Sequence, residues 1–162
     1  MRAAHAGVRW AAPDGYHVTL HFFGDVTERQ LADLKASLAD PRLKVPSFAA
    51  RLGTLGQFPP RGVPRVVWVS LSQGGEEAAA LWELVERVIE PLGWRRDPRG
   101  FTPHVTVGRA GRGGAEPVDP AGVALPADPF RLEEIVLFES VLGPHGATYR
   151  PEIRIALEGS RA

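Results

Sequence analysis

The chain has 162 residues, enough for one domain with a sizeable core and too few for two independent ones. Hydrophobic residues are 44% and charged residues 23%, and 19 Lys and Arg balance 19 Asp and Glu, which excludes a general pull on long polyanions and leaves only local contacts with them. The absence of cysteine excludes disulfides and thiolate metal sites and makes a reducing cytoplasm the expected location, while no apolar run has the length of a signal core or a membrane span.

In chain order, Val8, Trp10 and Pro13 precede an Ala-Pro-Asp-Gly turn. Residues 16–23 read as a strand, with Tyr16, Val18, Leu20 and Phe22 on an apolar face and His17, Thr19 and His21 on the other. Thr27 and Gln30 form a capping box ahead of a helical stripe of Leu31, Leu34 and Leu38, which stops before Pro41. Strands follow at 48–58 and 65–71, separated by the loop Phe58-Pro-Pro-Arg-Gly. Residues 76–90 form a second amphipathic helix, burying Leu81, Leu84, Val85, Val88 and Ile89.

Residues 101–108 predict a strand whose faces separate Phe101, Pro103, Val105 and Val107 from Thr102, His104 and Thr106. A loop rich in glycine and arginine runs over 108–120, and its Gly111-Arg-Gly-Gly lacks the Gly-Lys-Ser/Thr of a nucleotide phosphate loop. An antiparallel pair, 130–142 with 148–157, closes the chain around Gly143-Pro-His-Gly. Mixed strands and helices with frequent hairpins give an α+β fold with antiparallel sheets, a single domain over 1–162.

One pattern repeats. Apolar-His-apolar-Thr-apolar occurs at 16–20 and again at 103–107, roughly half a chain apart, as a duplicated half-domain would leave it. On a strand, a His and the Thr two residues later point the same way, about 7 Å apart. Two such strands brought together offer two imidazoles and two hydroxyls. In-line displacement at phosphorus needs a base on the attacking oxygen and an acid on the departing one. Two histidines supply both, since imidazole titrates near neutral pH, and the hydroxyls suit the non-bridging oxygens. No metal or cofactor is required, and no ligand set for a metal accompanies the motifs.

The pattern resembles the 2H phosphoesterases and, within them, the bacterial RNA 2′,3′-cyclic phosphodiesterases, also called 2′-5′ RNA ligases. The resemblance extends over roughly 7–157: Val8-Arg-Trp with Pro13, the His-Val-Thr-Leu and Phe-Gly-Asp of 16–26, Phe58-Pro, Pro64-Arg-Val-Val-Trp-Val, Phe101-Thr-Pro-His-Val-Thr-Val-Gly-Arg, and Glu139-Ser-Val-Leu-Gly-Pro with Tyr149. It implies a two-lobed, pseudo-twofold fold around a central cleft and hydrolysis of RNA cyclic-phosphate ends, tRNA fragments among them, to 2′-phosphates. It further implies catalytic roles for His17, Thr19, His104 and Thr106, with His17 the acid on the departing O3′ and His104 the base for water. Arg109 becomes a phosphate ligand, provided Gly108 ends the strand or sits in a bulge, since regular alternation turns residue 109 away from His104. A monomer with no membrane contact completes the expectation.

Two features depart from the family pattern. The family's opening apolar strand and helix have no counterpart before Trp10, which predicts an incomplete first lobe with a sheet edge to cover. His21 replaces a different polar residue and, sharing the face of His17 and Thr19, is expected to border the site and touch substrate. A His17/His21 metal pair is disfavoured, because i and i+4 lie about 13 Å apart on a strand. Arg95, Arg96, Arg99 and Arg112 flank the second motif as candidate backbone contacts, and Phe22, Phe58 and Trp68 as candidate stacking surfaces; His5 and His145 read as surface residues. Competing readings are reversible 2′-5′ end joining, hydrolysis of a small cyclic nucleotide, and a non-catalytic RNA-end binder.

Overall fold

The structure, a computed structural model, describes residues 7–111, 114–116, 123–143 and 146–159. Its fold is α+β, with antiparallel strand pairing and two α-helices. The chain forms two compact units, each gathered from three separate stretches. The first takes Met1–Thr19, Ala50–Gly75 and Pro103–Phe130, and the second Leu20–Ala49, Glu76–Thr102 and Arg131–Ala162. The units are therefore not the two halves of the sequence, and both His-x-Thr triplets belong to the first. No helix among the described residues is long and apolar enough to cross a membrane. The predicted lack of an opening strand and helix concerns a part of the chain before Gly7, outside the described residues, as are His5, Arg112 and His145.

The first unit is built on β1 (Val8–Trp10), β2 (Phe48–Phe58, which belongs to this unit from Ala50 on), β3 (Val66–Gln73) and β4 (His104–Ala110), in a sheet of order β1-β4-β3-β2-β5, where β5 (Phe130–Leu132) belongs to this unit only at Phe130. β-Branched residues fill its strands, as their propensity for a pleated, half-buried surface favours. One face buries Leu55, Val67, Val69, Val105 and Val107, with Val8, Trp10 and Val18 packed against them.

The second unit holds α1 (Glu28–Leu38), α2 (Gly75–Ile89, from Glu76 on) and the hairpin of β6 (Glu134–Gly143) with β7 (Gly146–Ala156). The capping box forms as the sequence predicts: Gln30 N–H donates to Thr27 Oγ1 at 3.3 Å and Thr27 N–H to Gln30 Oε1 at 2.9 Å. Leu34 and Leu38 of α1 pack with Leu81, Val85, Val88 and Ile89 of α2 and with Ile135 and Leu137 of β6. Along β7 the alternation holds in Ile153 and Ile155, which pack on this core opposite Leu137 and Ile135.

Three predicted strands change, and the one expected over 130–142 divides into β5 and β6, which lie in different sheets. The run at 16–23 is reduced to a single bridge at Val18, because its apolar residues serve different cores: Val18 packs in the first unit, Leu20 and Phe23 in the second. Leu20 to Phe23 is a step of three, which breaks the strand's period of two; Phe22 is left 81% exposed. The strand predicted from Phe101 starts instead at His104, and the Phe101 ring stacks on Trp82 of α2 at 5.2 Å.

His21 is the main correction in this stretch. It belongs to the second unit, whereas His17 and Thr19 belong to the first, and it donates from Nδ1 to Glu86 Oε1 at 2.7 Å, with side-chain exposures of 9% and 2%. Phe23 and Trp94 enclose the imidazole, with ring centroids at 4.6 and 6.4 Å. A carboxylate buried so deeply is tolerated only with a partner. Glu86→Ala is therefore expected to destabilise the protein by about 3 kcal/mol, seen as a fall in Tm of about 6–12 °C. Replacing both partners, as Glu86→Leu with His21→Phe, should recover most of that loss. A Tm for Glu86→Ala equal to wild type would show that the pair carries no such weight.

Candidate active site

Val18 and Val105, the central residues of the two His-x-Thr triplets, form an antiparallel bridge. Both side chains enter the first unit's core. The flanking residues must then point to the opposite face, so His17, Thr19, His104 and Thr106 share it. An antiparallel register centred on this bridge sets His17 beside Thr106 and Thr19 beside His104. The two motifs thus lie head to tail, each imidazole next to the other motif's hydroxyl.

The local chain fixes His17 further. A 3₁₀ turn at Pro13–Gly15 precedes it, and the His17 Nδ1–H donates to the Gly15 carbonyl at 2.8 Å. A carbonyl only accepts, so Nδ1 keeps its proton in either charge state and proton exchange is confined to Nε2. His104 stands on β4 opposite Ser70 of β3. Phe58 meets its ring edge-on at 5.4 Å and Trp68 lies at 5.7 Å. The Trp68 indole in turn rests on Gly56, where a Cβ would come within 2.5 Å of the ring. Of the three aromatic candidates, Phe58 and Trp68 flank His104. Phe22 does not belong to this unit.

Arg109 joins the same face through a bulge. Val66, Trp68 and Ser70 have one parity on β3 and pair with Arg109, Thr106 and His104, whereas neighbouring Val67 pairs with Gly108. The extra residue falls at Val107–Gly108, where two successive buried residues mark the slip. The condition that the sequence sets for Arg109 is met. β1 continues the row: Arg9 lies directly opposite Arg109, while Val8 and Trp10 turn into the core. Arg9 was not among the residues singled out from the sequence; its signal was the alternation Val8-Arg9-Trp10, apolar-cation-apolar.

The arginines before the second motif are less available than their number implies. Arg96 makes two hydrogen bonds to Glu83, both at 2.8 Å, and sits 5.3 Å over the Trp82 ring. Arg99 binds Asp97, whose carboxyl it holds down to about 2, first through side-chain hydrogen bonds. Both pairs belong to the second unit. Among the described residues no group of three or more His, Asp or Glu is arranged to hold a metal ion.

A family model described as the 2′-5′ RNA ligase superfamily matches residues 3–143. An RNA 2′,3′-cyclic phosphodiesterase of Geobacillus stearothermophilus is 39% identical over 137 residues, 81% of this chain and 42% of that protein. A namesake from Archaeoglobus fulgidus is 32% identical over 148 residues, 90% of this chain and 81% of that one. The chain therefore spans well under half of the first relative and about four fifths of the second. Among solved structures, the Thermus thermophilus protein TT0787 superposes with a TM-score of 0.76 at 28% identity, covering 96% of this chain and 85% of that chain.

The seat of Trp68 on Gly56 can be tested directly. Gly56→Ala is expected to cost about 1–3 kcal/mol through overpacking, because the indole must move off the strand. In a Trp68→Phe background, whose smaller ring does not reach as far, the same substitution should cost at least about 1 kcal/mol less. Additive losses in the double variant would place the indole elsewhere.

Proposed function

This chain belongs to the 2′-5′ RNA ligase superfamily, and from that premise we propose that it hydrolyses RNA 2′,3′-cyclic phosphate ends to 2′-phosphates by metal-independent acid–base catalysis. The observation that carries the reading is the Val18–Val105 bridge, which joins two His-x-Thr triplets head to tail on one face. His104 takes a proton from water as the water oxygen attacks phosphorus. The P–O3′ bond breaks, and His17, protonated at Nε2, delivers its proton to the departing O3′. Each histidine ends in the other's starting charge state and is reset by exchange with solvent.

Thr19 and Thr106 donate hydrogen bonds to the non-bridging oxygens, and Arg109 offers a charged fork to the same phosphate. The Gly15 carbonyl supports the role given to His17, since it leaves Nε2 as the transferring atom. Phe58 and Trp68 pack together against the His104 ring and offer aromatic surface next to it. His21, paired with Glu86, takes no part in this scheme. The names of the relatives support RNA as the substrate class. A cytoplasmic monomer that needs no cofactor and no membrane completes the proposal.

The test is hydrolysis of a short RNA ending in a 2′,3′-cyclic phosphate, in EDTA, by wild type, His17→Ala and His104→Ala. Wild type should yield the 2′-phosphate, and each variant should lose about 10²–10⁴-fold in kcat. Stoichiometric binding of the end without turnover would favour a binding protein instead. Activity lost in EDTA alone would overturn the mechanism.

A further inference from the structure

We infer that Arg9 is a specificity residue of this site, holding the phosphate one nucleotide upstream of the cyclic end, so that the protein prefers an RNA oligomer to a mononucleoside cyclic phosphate. The inference rests on the phosphodiesterase reading and names which substrates of that class the site selects. Three observations on the first unit carry it.

The first is position. Two rows run along the exposed face, one on β4 with His104, Thr106 and Arg109, the other beside it with Thr19, His17 and Arg9. Both rows end in an arginine at the same end. Arg109 continues the row on β4, whereas Arg9 stands on the edge strand β1, to one side of it. A phosphate held by the histidines and Arg109 thus leaves Arg9 to meet the next one along a strand that crosses this edge.

The second is charge. Directly opposite residues of an antiparallel pair have Cβ atoms about 5 Å apart, and like charges there are destabilising. Six described arginines, Arg42, Arg96, Arg99, Arg131, Arg150 and Arg154, pair with carboxylates, whereas Arg29, Arg61, Arg65, Arg87 and Arg95 stand in no ion pair among the described residues, at separate places; what sets Arg9 and Arg109 apart is that they are directly opposite each other. Among the described residues neither Arg9 nor Arg109 is in an ion pair, and both are exposed. Two adjacent, unneutralised guanidinium groups in a chain of zero net charge make a local anion site.

The third is chemistry. A cyclic phosphate carries a single negative charge and a mononucleoside form has no second phosphate, so one arginine satisfies it. An RNA end adds a phosphodiester at each nucleotide, and guanidinium recognises such oxygens with paired hydrogen bonds. Arg9 therefore has a ligand only when the substrate is a chain.

The experiment compares kcat/KM for a short RNA with a 2′,3′-cyclic end and for a mononucleoside 2′,3′-cyclic phosphate. In Arg9→Gln the ratio of the two should fall about tenfold, mostly through KM for the RNA, with Arg9→Lys intermediate. The slope of log KM for the RNA against log salt should fall by about 0.7, the value for one contact to a single strand. Arg29→Gln removes an equal charge from exposed α1 and should leave the ratio within about twofold if a local contact is at work. An unshifted ratio in Arg9→Gln, or an equal shift in Arg29→Gln, with wild type active on both substrates, overturns the role of Arg9 alone. Wild type inactive on both substrates would sink the phosphodiesterase reading and this inference with it.

Discussion

Val18 and Val105 form the contact on which the exposed face of the first unit depends. Each is the middle residue of a His-x-Thr triplet, and each puts its side chain in the core with Val67 and Val69. Full burial of a valine side chain is worth about 1.5–3 kcal/mol. A slip of one residue would reverse every side chain, exposing the valine and burying an imidazole or hydroxyl. Burying such a group unpaired costs about 1–3 kcal/mol by mutational measures. Both terms act in the same sense, so the register that packs the core also presents the motifs. Packing and chemistry are fixed here by a single parity.

Charge is distributed on a related principle. The chain is neutral overall, and six of its described arginines are paired with carboxylates. Arg96 shows how completely: it is bonded twice to Glu83 and laid over Trp82. On the motif face Arg109 and Arg9 stand directly opposite each other, neither in an ion pair among the described residues. A chain with an excess of basic residues would bind nucleic acid wherever it touched it. A chain of zero net charge leaves attraction to local groupings such as this opposed pair.

Much of this could be read from residues alone, and the failures have identifiable causes. The capping box at Thr27, the leucine stripe of α1, the β2 boundaries and the closing hairpin followed from local chemistry or clean periodicity. The strand at 16–23 failed because one apolar alternation fed two cores, and a period of two cannot show where a chain changes allegiance. His21 failed for the same reason: its partner Glu86 is 65 residues away, and no local pattern announces a long-range buried pair. Arg109 was legible only as a condition, since a bulge beside a glycine is possible from sequence and its position is a property of the partner strand. Arg9 was hidden by its ordinary appearance, a cation between two apolar residues, and gains meaning only from what lies opposite.

That opposition itself depends on Gly108. A Cβ at this position would stand 2.6 Å from Val8 Cγ1 and 3.2 Å from the Trp10 ring, too close for any side chain. β1 therefore approaches β4 only because residue 108 has no side chain, and the approach sets Trp10 against Gly108 and Arg9 against Arg109. The same glycine sits in the bulge that returns Arg109 to the face of His104. One residue without a side chain thus places both arginines, one by letting its own strand slip and the other by letting the neighbouring strand come near. The end of the motif rows is built by backbone geometry before any charge acts there, and the repulsion between the two guanidinium groups is borne by the packing of Val8 and Trp10 beneath them.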